Sequence, residues 1–264
     1  MGEAFVSDED YPTYFTKLEG MRETVAAELG DLAGDVLDMA TGSAYFAIAL
    51  ARKHPDIHVT AIDINGLETA RENVNEGKLS DRMTLREMDA SSLEFKDGSF
   101  DHVVNFLGLE DIYMTRGCEG VEKAFKEAHR VLRPGGSFCF VAMPRDEAET
   151  PAQRNEIEVF SWICDATWLN RAEYMDMISG SGLAFEYSKV FRTGKKLTVE
   201  QAKEEIAFAC ENVPAIFGRP ARGFDEAWKR FGDSITEHGM GHYSRLELFV
   251  SRKKVNLPSS PSYT

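Results

Sequence analysis

Short apolar runs alternate with stretches of helical spacing from residue 34 to residue 143. Strands that alternate with helices in this way are typical of a doubly wound, mostly parallel sheet. In such a sheet, ligands bind outside the carboxyl ends of the strands. The pattern therefore predicts an α/β fold whose binding edge lies where these runs end, near Met39, Asp63, Met88, Phe106 and Met143.

A helix is predicted before this region, from Tyr11 to Gly30. Its apolar positions recur every three or four residues, and Gly30 suits the C-terminal end of a helix. These positions are Tyr14, Leu18, Met21, Val25 and Leu29. The helix either covers one edge of the sheet or brings Tyr11 or Tyr14 to the ligand pocket.

Two helices and a sixth strand are predicted after the fifth run. The apolar residues from Arg154 to Leu169 indicate one helix. Asn170 and Glu173 have the spacing of a capping box, which starts the next helix. The residues after Gly180 then lead into a sixth strand that ends at Phe191.

About fifty residues separate the sixth strand from the seventh, and helical spacing fills most of them. Thr198 and Gln201 form another capping box, and a second helix is predicted from Asp225 to Glu237. The sequence thus predicts a helical insertion at about 195–240, followed by a seventh strand over Leu246–Val250, antiparallel at the sheet edge. The insertion is either a lid over the ligand, with Phe208, Phe217, Trp228 and Phe231 as its walls, or a cover or dimer contact.

Length and composition predict one domain over 1–254, followed by a flexible tail at 255–264. A chain of 264 residues with 43% hydrophobic content buries a large core without disulfides or metal. Its four cysteines lack paired or metal-ligand spacing, which indicates free thiols in a reducing compartment. No apolar run approaches the ~18 residues of a membrane span. We therefore expect a cytoplasmic protein with no metal site and no membrane insertion.

The net charge of −14 and pI near 4.9 argue against nucleic acid as a partner. Binding to phosphates needs a concentrated basic face, and the short cluster Arg252-Lys253-Lys254 is more typical of a solvated strand end. A small organic ligand is favoured. A homodimer remains compatible with the sequence.

The stretch Asp38-Met39-Ala40-Thr41-Gly42-Ser43-Ala44 carries the chemistry. An apolar run ends there in a turn of small residues that opens a helix, and Asp63 closes the next run where a ribose would present its hydroxyls. The turn holds no lysine or arginine, so a pyrophosphate would meet the Asp38 carboxylate, whereas a cationic ligand would be attracted. S-adenosylmethionine, which joins adenosine to a sulfonium and an ammonium, fits this requirement.

These residues resemble motif I of the class I S-adenosylmethionine-dependent methyltransferases. The resemblance implies a Rossmann-like fold with a seven-stranded, mostly parallel sheet. The helical insertion between strands 6 and 7 departs from the family, which has a short hairpin there. The chain has Ala40, Gly42 and Ala44 where the family has three glycines. Alanine is tolerated at such positions where φ stays negative and the backbone does not need the closest approach to the ligand.

The same resemblance implies the cofactor-binding residues. Asp63 would accept the ribose hydroxyls, Ile64 would pack on the adenine, and Asp89 and Ala90 would meet the adenine amino group. The remaining residues implied are Asp38, Ala40, Thr41, Gly42 and Ala44 in the turn, Asn105 and Leu107 in the exit loop of the fourth strand, and Tyr14 in the N-terminal helix.

A general base assists methyl transfer where the acceptor is a weak nucleophile. His242 and Glu110 are the candidate catalytic residues, with Asp111 as a further carboxylate beyond the fourth strand. His242 is the more attractive because the ordinary pKa of histidine, about 6.5, suits proton removal at neutral pH. Surface or structural roles for these side chains remain open.

Within the family, Asp38 to Gly42 and Gly108 to Asp111 are similar to segments of the ubiquinone/menaquinone-biosynthesis C-methyltransferases, with Glu110 in place of an arginine. The resemblance covers about 34–143 and therefore implies no quinone substrate. Two other functions stay open: a non-catalytic binder of S-adenosylmethionine or S-adenosylhomocysteine, and an NAD-dependent oxidoreductase, although the latter favours three glycines.

Overall fold

The computed structural model of the protein describes residues 3–13, 18–64 and 66–255. Its strands are β1 (Ala4–Phe5), β2 (Gly34–Met39), β3 (Ile57–Asp63), β4 (Met83–Glu87), β5 (Phe100–Phe106), β6 (Leu132–Ala142), β7 (Leu183–Arg192), β8 (Lys195–Leu197), β9 (Met240–Gly241) and β10 (Arg245–Lys253). Its helices are α1 (Met21–Glu28), α2 (Tyr45–Lys53), α3 (Leu67–Glu76), α4 (Leu109–Val131), α5 (Pro151–Ile163), α6 (Arg171–Gly180), α7 (Val199–Phe217) and α8 (Phe224–His238).

The main sheet has seven strands in the order β4-β3-β2-β5-β6-β10-β7. Strands β2 to β6 pair in parallel, and β10 is antiparallel to both of its neighbours. The predicted fold class, a doubly wound and mostly parallel sheet, is confirmed. The predicted edge position of the last strand is wrong, because β10 lies between β6 and β7. Its residues Arg245–Ser251 are buried, as expected for a strand paired on both sides.

Two apolar cores sandwich the sheet. One contains the buried faces of α1, α2 and α3, and the other contains those of α4 and α6. On the second face, the rings of Phe140 from β6 and Phe249 from β10 stack with centroids 4.8 Å apart. Such close packing holds β6 and β10 rigidly within the sheet.

The predicted N-terminal helix is wrong as a single element. Leu18 and Gly20 have left-handed φ values of +51° and +78°, which an uninterrupted helix does not allow. The helix α1 therefore begins only at Met21. Gly30, with φ +72°, does occupy the left-handed position that follows a helix end, as predicted.

Capping boxes mark the later helices. Asn170 and Glu173 exchange side-chain to backbone hydrogen bonds at the start of α6, as predicted. The helix predicted from Arg154 instead starts at Pro151, because Thr150 and Gln153 form a further capping box, and it ends at Ile163. Thr198 and Gln201 also exchange hydrogen bonds, of 3.2 and 3.0 Å, where α7 begins.

The segment between β7 and β10 contains β8, α7, α8 and β9. The strand β8 pairs in parallel with β1 near the N-terminus and antiparallel with β9. The helices pack on α5 through a third apolar core, which includes Val6, Ile163, Ile206 and Ile235. The first residues of the chain and the insertion therefore share one small sheet and one core.

Among the described residues, every helix is too short or too polar to cross a bilayer. The tail from residue 256 onward lies outside the described part of the chain, so its flexibility stays a prediction.

Candidate functional site

Three adjoining cavities lie at the carboxyl ends of β2, β3 and β5. The Asp38 cavity, of about 370 Å³, is lined by Asp38, Arg22 and the turn after β2. The Asp63 cavity, of about 280 Å³, is lined by Asp63, Ile64, Asp89 and Ala90. The Glu205 cavity, of about 250 Å³, lies beneath α7. Together they have the size of a site for a cofactor and a second small molecule.

The turn between β2 and α2 is left-handed at three positions. Gly42 has φ +54°, but Ala40 and Ala44 also have positive φ, of +52° and +63°. Both alanines therefore lie outside the range of negative φ in which alanine is tolerated without strain. The turn keeps the conformation that glycine adopts freely, and each alanine costs roughly 1 to 2 kcal/mol of conformational strain. Positive φ in non-glycine residues often marks functional turns.

Asp63 holds this turn from the neighbouring strand. Its Oδ2 accepts a hydrogen bond of 2.8 Å from the backbone N–H of Gly42, and its Oδ1 accepts one of 2.8 Å from the backbone N–H of Ile64. Each oxygen keeps a further lone pair for a ligand hydroxyl. The side chain of Ile64 is exposed beside it and offers an apolar face to a ring.

Asp89 lies across the Asp63 cavity with both oxygens engaged. Its Oδ1 accepts hydrogen bonds from the backbone and hydroxyl of Ser91, and its Oδ2 accepts one of 2.9 Å from Arg116 Nε. Partial burial raises the pKa of Asp89, but these hydrogen bonds outweigh burial and leave the pKa below its ordinary value. Asp89 is thus a fixed carboxylate beside Ala90, where the sequence predicts the adenine.

The Asp38 cavity combines a buried acid with a guanidinium. Asp38 is 1% exposed and accepts a 2.5 Å hydrogen bond from the hydroxyl of Thr41. Burial raises the pKa of Asp38 to about 7, against the opposing hydrogen bond from Thr41. Arg22 of α1 lines the same cavity, with its guanidinium 5.4 and 5.2 Å from the ring centroids of Tyr45 and Phe106. Sequence reasoning missed Arg22, because it read this segment as one continuous helix.

The other predicted cofactor-binding residues differ in their position relative to the Asp38 cavity. Ala40, Thr41, Gly42 and Leu107 line the Asp38 cavity. Asn105 and Ala44 are fully buried and lie behind the cavity wall, so their assignment as ligand contacts is not supported. Tyr14 lies outside the described residues.

Asn105 has a structural role instead. Its Nδ2 donates a 2.6 Å hydrogen bond to the Met39 carbonyl, and its Oδ1 accepts one of 3.1 Å from the backbone N–H of Gly108. A side chain at Gly108 would fall within 2.7 Å of the Ala40 methyl. Asn105 therefore ties the end of β5 to the turn after β2, and the ligand meets the backbone that it shapes.

Asp111 lines all three cavities. Its side chain, on the first turn of α4, is exposed to the water that fills the cavities. Partial loss of hydration among the neighbouring protein atoms raises the pKa of Asp111 above its ordinary value, and the charges of Glu110 and Asp63 raise it further. This carboxylate stands where molecules in the three cavities would meet.

The Glu205 cavity is lined by two further acids. Glu156 of α5 accepts a 2.7 Å hydrogen bond from the backbone N–H of Tyr243, and Glu205 of α7 accepts one of 2.9 Å from the hydroxyl of Tyr11. Burial raises the pKa of Glu156 to about 8 and that of Glu205 to about 7. Sequence reasoning missed both, because Glu205 stands beside the exposed Glu204 in a run of helical acids.

The two predicted catalytic residues also line the Glu205 cavity. Glu110 is 8% exposed, and its Oε1 accepts hydrogen bonds from the Met143 backbone at 3.3 Å and the Tyr174 hydroxyl at 3.2 Å. His242 is 2% exposed, and burial lowers its pKa to about 4. The premise of an ordinary histidine pKa is therefore wrong: His242 is neutral at pH 7 and a weak base.

Aromatic and apolar side chains complete the Glu205 cavity. Its aromatic lining residues are Phe160, Trp168, Phe208, Phe217 and Tyr243. Phe208 and Phe217 come from α7, and both were predicted as walls of the ligand pocket. The predicted walls Trp228 and Phe231 belong instead to the third core, where Phe231 packs on Trp162 with centroids 6.1 Å apart.

Within the described part of the chain, no group of three or more histidine, cysteine, aspartate or glutamate side chains converges in a way that would hold a metal ion. The four cysteines are free thiols, and burial raises the pKa of Cys139 to about 11.

A family model described as a methyltransferase domain matches residues 37–140. A ubiquinone/menaquinone biosynthesis C-methyltransferase from Brucella anthropi is 35% identical over 118 residues, which are 44% of this chain and 42% of the relative. The chain thus spans under half the length of that relative. The matched region contains Asp38, Asp63 and Asp89 but excludes most of the Glu205 cavity.

Solved structures extend the similarity to the whole fold. A [4+2]-cyclase, SpnF, matches with a TM-score of 0.61 and 20% identity, covering 89% of this chain and 80% of the cyclase. A geranyl diphosphate C-methyltransferase from Streptomyces coelicolor A3(2), solved with S-adenosyl-L-homocysteine, matches with a TM-score of 0.56 and 14% identity, covering 89% and 76%. Likeness at this identity shows the fold alone. Over residues 37–140, sequence, turn and sheet therefore agree with a methyltransferase domain.

Proposed function

We propose that the protein transfers the methyl group of S-adenosylmethionine to a small-molecule acceptor in the Glu205 cavity. The adenosine occupies the Asp63 cavity, and the amino-acid end of the cofactor occupies the Asp38 cavity. The two share Ala40, Gly42 and Ser43 in their walls, so one elongated ligand can extend through both.

The pairing of Asp38 with Arg22 carries this proposal. The amino-acid end of S-adenosylmethionine bears an ammonium and a carboxylate. A buried carboxylate suits the first group, and a guanidinium suits the second. Both side chains line one cavity, and it adjoins the cavity of Asp63, the acid that we assign to the ribose hydroxyls.

The Asp63 cavity supports the nucleoside part. The backbone amides of Gly42 and Ile64 already orient the Asp63 carboxylate. Two adjacent ribose hydroxyls fit its remaining lone pairs. Ile64 and Ala90 supply apolar surface for the adenine ring.

Methyl transfer is an in-line displacement at carbon, for which alignment is the main contribution of the protein. Effective molarities of ~10⁵ M and more are reached when the reacting groups are held in line. Leu107, Asp111 and Tyr243 line both the Asp38 and Glu205 cavities, so the cofactor and acceptor meet there. The α7 helix covers the acceptor and excludes water. Asp111 is better placed as a base than His242 or Glu110.

An NAD-dependent oxidoreductase fits the site less well. Arg22 supplies one cation, but a pyrophosphate in the Asp38 cavity would still meet a buried carboxylate, which repels it. A non-catalytic binder of S-adenosylmethionine remains the second candidate, because a cofactor site does not imply turnover.

Calorimetry with S-adenosylmethionine, S-adenosylhomocysteine and NAD tests the cofactor. We expect saturable binding of the first two and none of NAD; saturable NAD binding would overturn the assignment. Turnover is followed as S-adenosylhomocysteine release on addition of small-molecule fractions. Cofactor binding without release in any fraction would favour the non-catalytic binder.

The absence of a nucleic-acid partner and a homodimeric state stay predictions. Competition by duplex DNA or RNA in the same calorimetric experiment would contradict the first. Sedimentation measures the second directly.

A further inference from the structure

We infer that the acceptor of the Glu205 cavity is a protonated amine carried on an apolar body. This inference rests on the proposed methyl transfer and names its substrate class. It follows from the acids that line the cavity, from an enclosed carboxylate oxygen and from the aromatic walls.

The charge of the cavity has one sign. Glu110, Asp111, Glu156 and Glu205 line it, and none of its described lining residues is a lysine or an arginine. The acids come from three elements, α4, α5 and α7, which only the tertiary fold brings together. A cation among them would favour their ionised form, whereas an anion would either be repelled or require them to stay protonated.

Glu110 gives an independent indication of a donor ligand. Its Oε1 is bound by Met143 and Tyr174, but its Oε2 is inaccessible to solvent and has no hydrogen-bond partner among the described residues. A buried carboxylate oxygen without a donor costs free energy, and an ammonium in the cavity supplies three N–H groups that satisfy it once the Glu110 side chain turns toward the ligand.

The walls favour an organic cation over a metal ion. Phe160, Trp168, Phe208, Phe217 and Tyr243 surround the acids with aromatic surface. Ammonium groups are attracted to the faces of such rings. The acids themselves do not converge in the way that metal ligands do.

The chemical step balances with groups already named. The ammonium of the acceptor passes a proton to the Asp111 carboxylate and becomes a neutral amine. Its lone pair bonds to the methyl carbon while the carbon–sulfur bond breaks, and that electron pair stays on sulfur. The sulfonium becomes a neutral thioether, and the methylated nitrogen carries the positive charge. The raised pKa of Asp111 makes it a stronger proton acceptor than an ordinary aspartate.

The test measures binding of three probes of similar shape: 2-phenylethylamine, 2-phenylethanol and 3-phenylpropanoate. Each is titrated at pH 7.5 into protein saturated with S-adenosylhomocysteine. We expect the amine to bind about tenfold tighter than the alcohol or more, and the carboxylate to bind weakest. Equal affinities, tighter binding of the alcohol or carboxylate, or no binding of the amine would overturn the inference.

Variants link the preference to the cavity. Glu205→Gln should remove most of the preference for the amine, with the alcohol affinity unchanged, whereas Glu204→Gln, one exposed position away, should keep it. Glu156→Gln gives a second measurement if Glu205→Gln fails to fold by circular dichroism. An unchanged preference in folded variants contradicts the inference. Failure of S-adenosylhomocysteine to bind the wild type contradicts the proposed function instead.

Discussion

The backbone N–H of Gly42 donates a 2.8 Å hydrogen bond to Oδ2 of Asp63, so the acid that ends β3 holds the turn that follows β2. The other oxygen accepts from Ile64. The carboxylate is therefore oriented before any ligand arrives, and a ligand hydroxyl meets a fixed acceptor. Preorganisation of this kind lowers the entropic cost of binding.

Asp63→Asn should weaken S-adenosylhomocysteine binding by about 1.5 to 3 kcal/mol, the range for a hydrogen bond to a charged group. The asparagine keeps a carbonyl oxygen for Gly42 but loses one acceptor and the charge. Calorimetry measures the affinity, and Glu87→Gln, at the exposed end of β4, is the matched control. Wild-type affinity in the folded Asp63→Asn variant would refute the ribose assignment.

Cofactor affinity should fall as the pH drops below about 7. The pKa of Asp38 in the free protein is about 7, and an ammonium partner requires its ionised form. Protonation of Asp38 therefore competes with binding, with a limiting loss of about tenfold per pH unit. Titrations of S-adenosylhomocysteine between pH 6 and 8 measure the slope.

Three variants identify the side chain that causes this pH dependence of cofactor affinity. Asp38→Asn should bind weakly with a flat pH profile, whereas Arg22→Met should bind weakly but keep the slope. Asp111→Asn, in the same cavity, should also keep it. A pH slope that survives in Asp38→Asn would show that another group is responsible.

Ala40→Gly should leave the free energy of unfolding unchanged or raise it by up to about 1 kcal/mol. Glycine relieves the strain of φ +52°, and the gain is partly offset by the greater freedom of the unfolded chain. Ala207→Gly, at an exposed helical position in α7, should lose about 1 kcal/mol. Urea unfolding compares the two variants. Equal losses in the free energy of unfolding would contradict backbone strain at Ala40.

Stability should fall as the pH rises from 6.5 to 8. The folded pKa of Glu156, about 8, lies above its ordinary value, so folding favours the protonated form and this contribution is lost as the pH rises through 8. One such group contributes at most about 1.4 kcal/mol per pH unit. His242, with a folded pKa of about 4, opposes the trend only below pH 6.5.

Denaturant unfolding at several pH values checks this slope. Glu156→Gln should flatten it most between pH 7 and 8, above the raised pKa of about 7 of Asp38 and Glu205, while Glu158→Gln, exposed on the same helix, should follow the wild type. If the Glu156→Gln and wild-type slopes coincide, the carboxyl does not carry the effect.

Local sequence signals predicted residues that line the Asp38 and Asp63 cavities. Asp38, Gly42 and Asp63 lie at the ends of runs whose spacing determines their positions, and Asn170 and Thr198 start helices through contacts three residues away. Such features depend on neighbouring residues, so the sequence displays them directly.

The rest of the site depends on long-range packing. Arg22 reaches the Asp38 cavity because Gly20 interrupts the predicted helix, and Glu205 faces inward because α7 packs on α5. The edge strand was misassigned for the same reason, since strand order is set between segments distant in sequence. The pKa of His242 likewise follows from burial, which residue type alone does not show.

The pairing of β1 with β8 has a practical consequence for redesign. The Glu205 cavity takes most of its wall from outside the matched region 37–140, and its outer helix is anchored to the opening strand of the chain, as the Tyr11 to Glu205 hydrogen bond also shows. Transplanting this cavity onto another core therefore requires the segments 3–13 and 195–243 together with the stretch from α5 to Trp168, which carries Glu156, Phe160 and Trp168. A graft that omits any of these segments leaves the cavity wall incomplete.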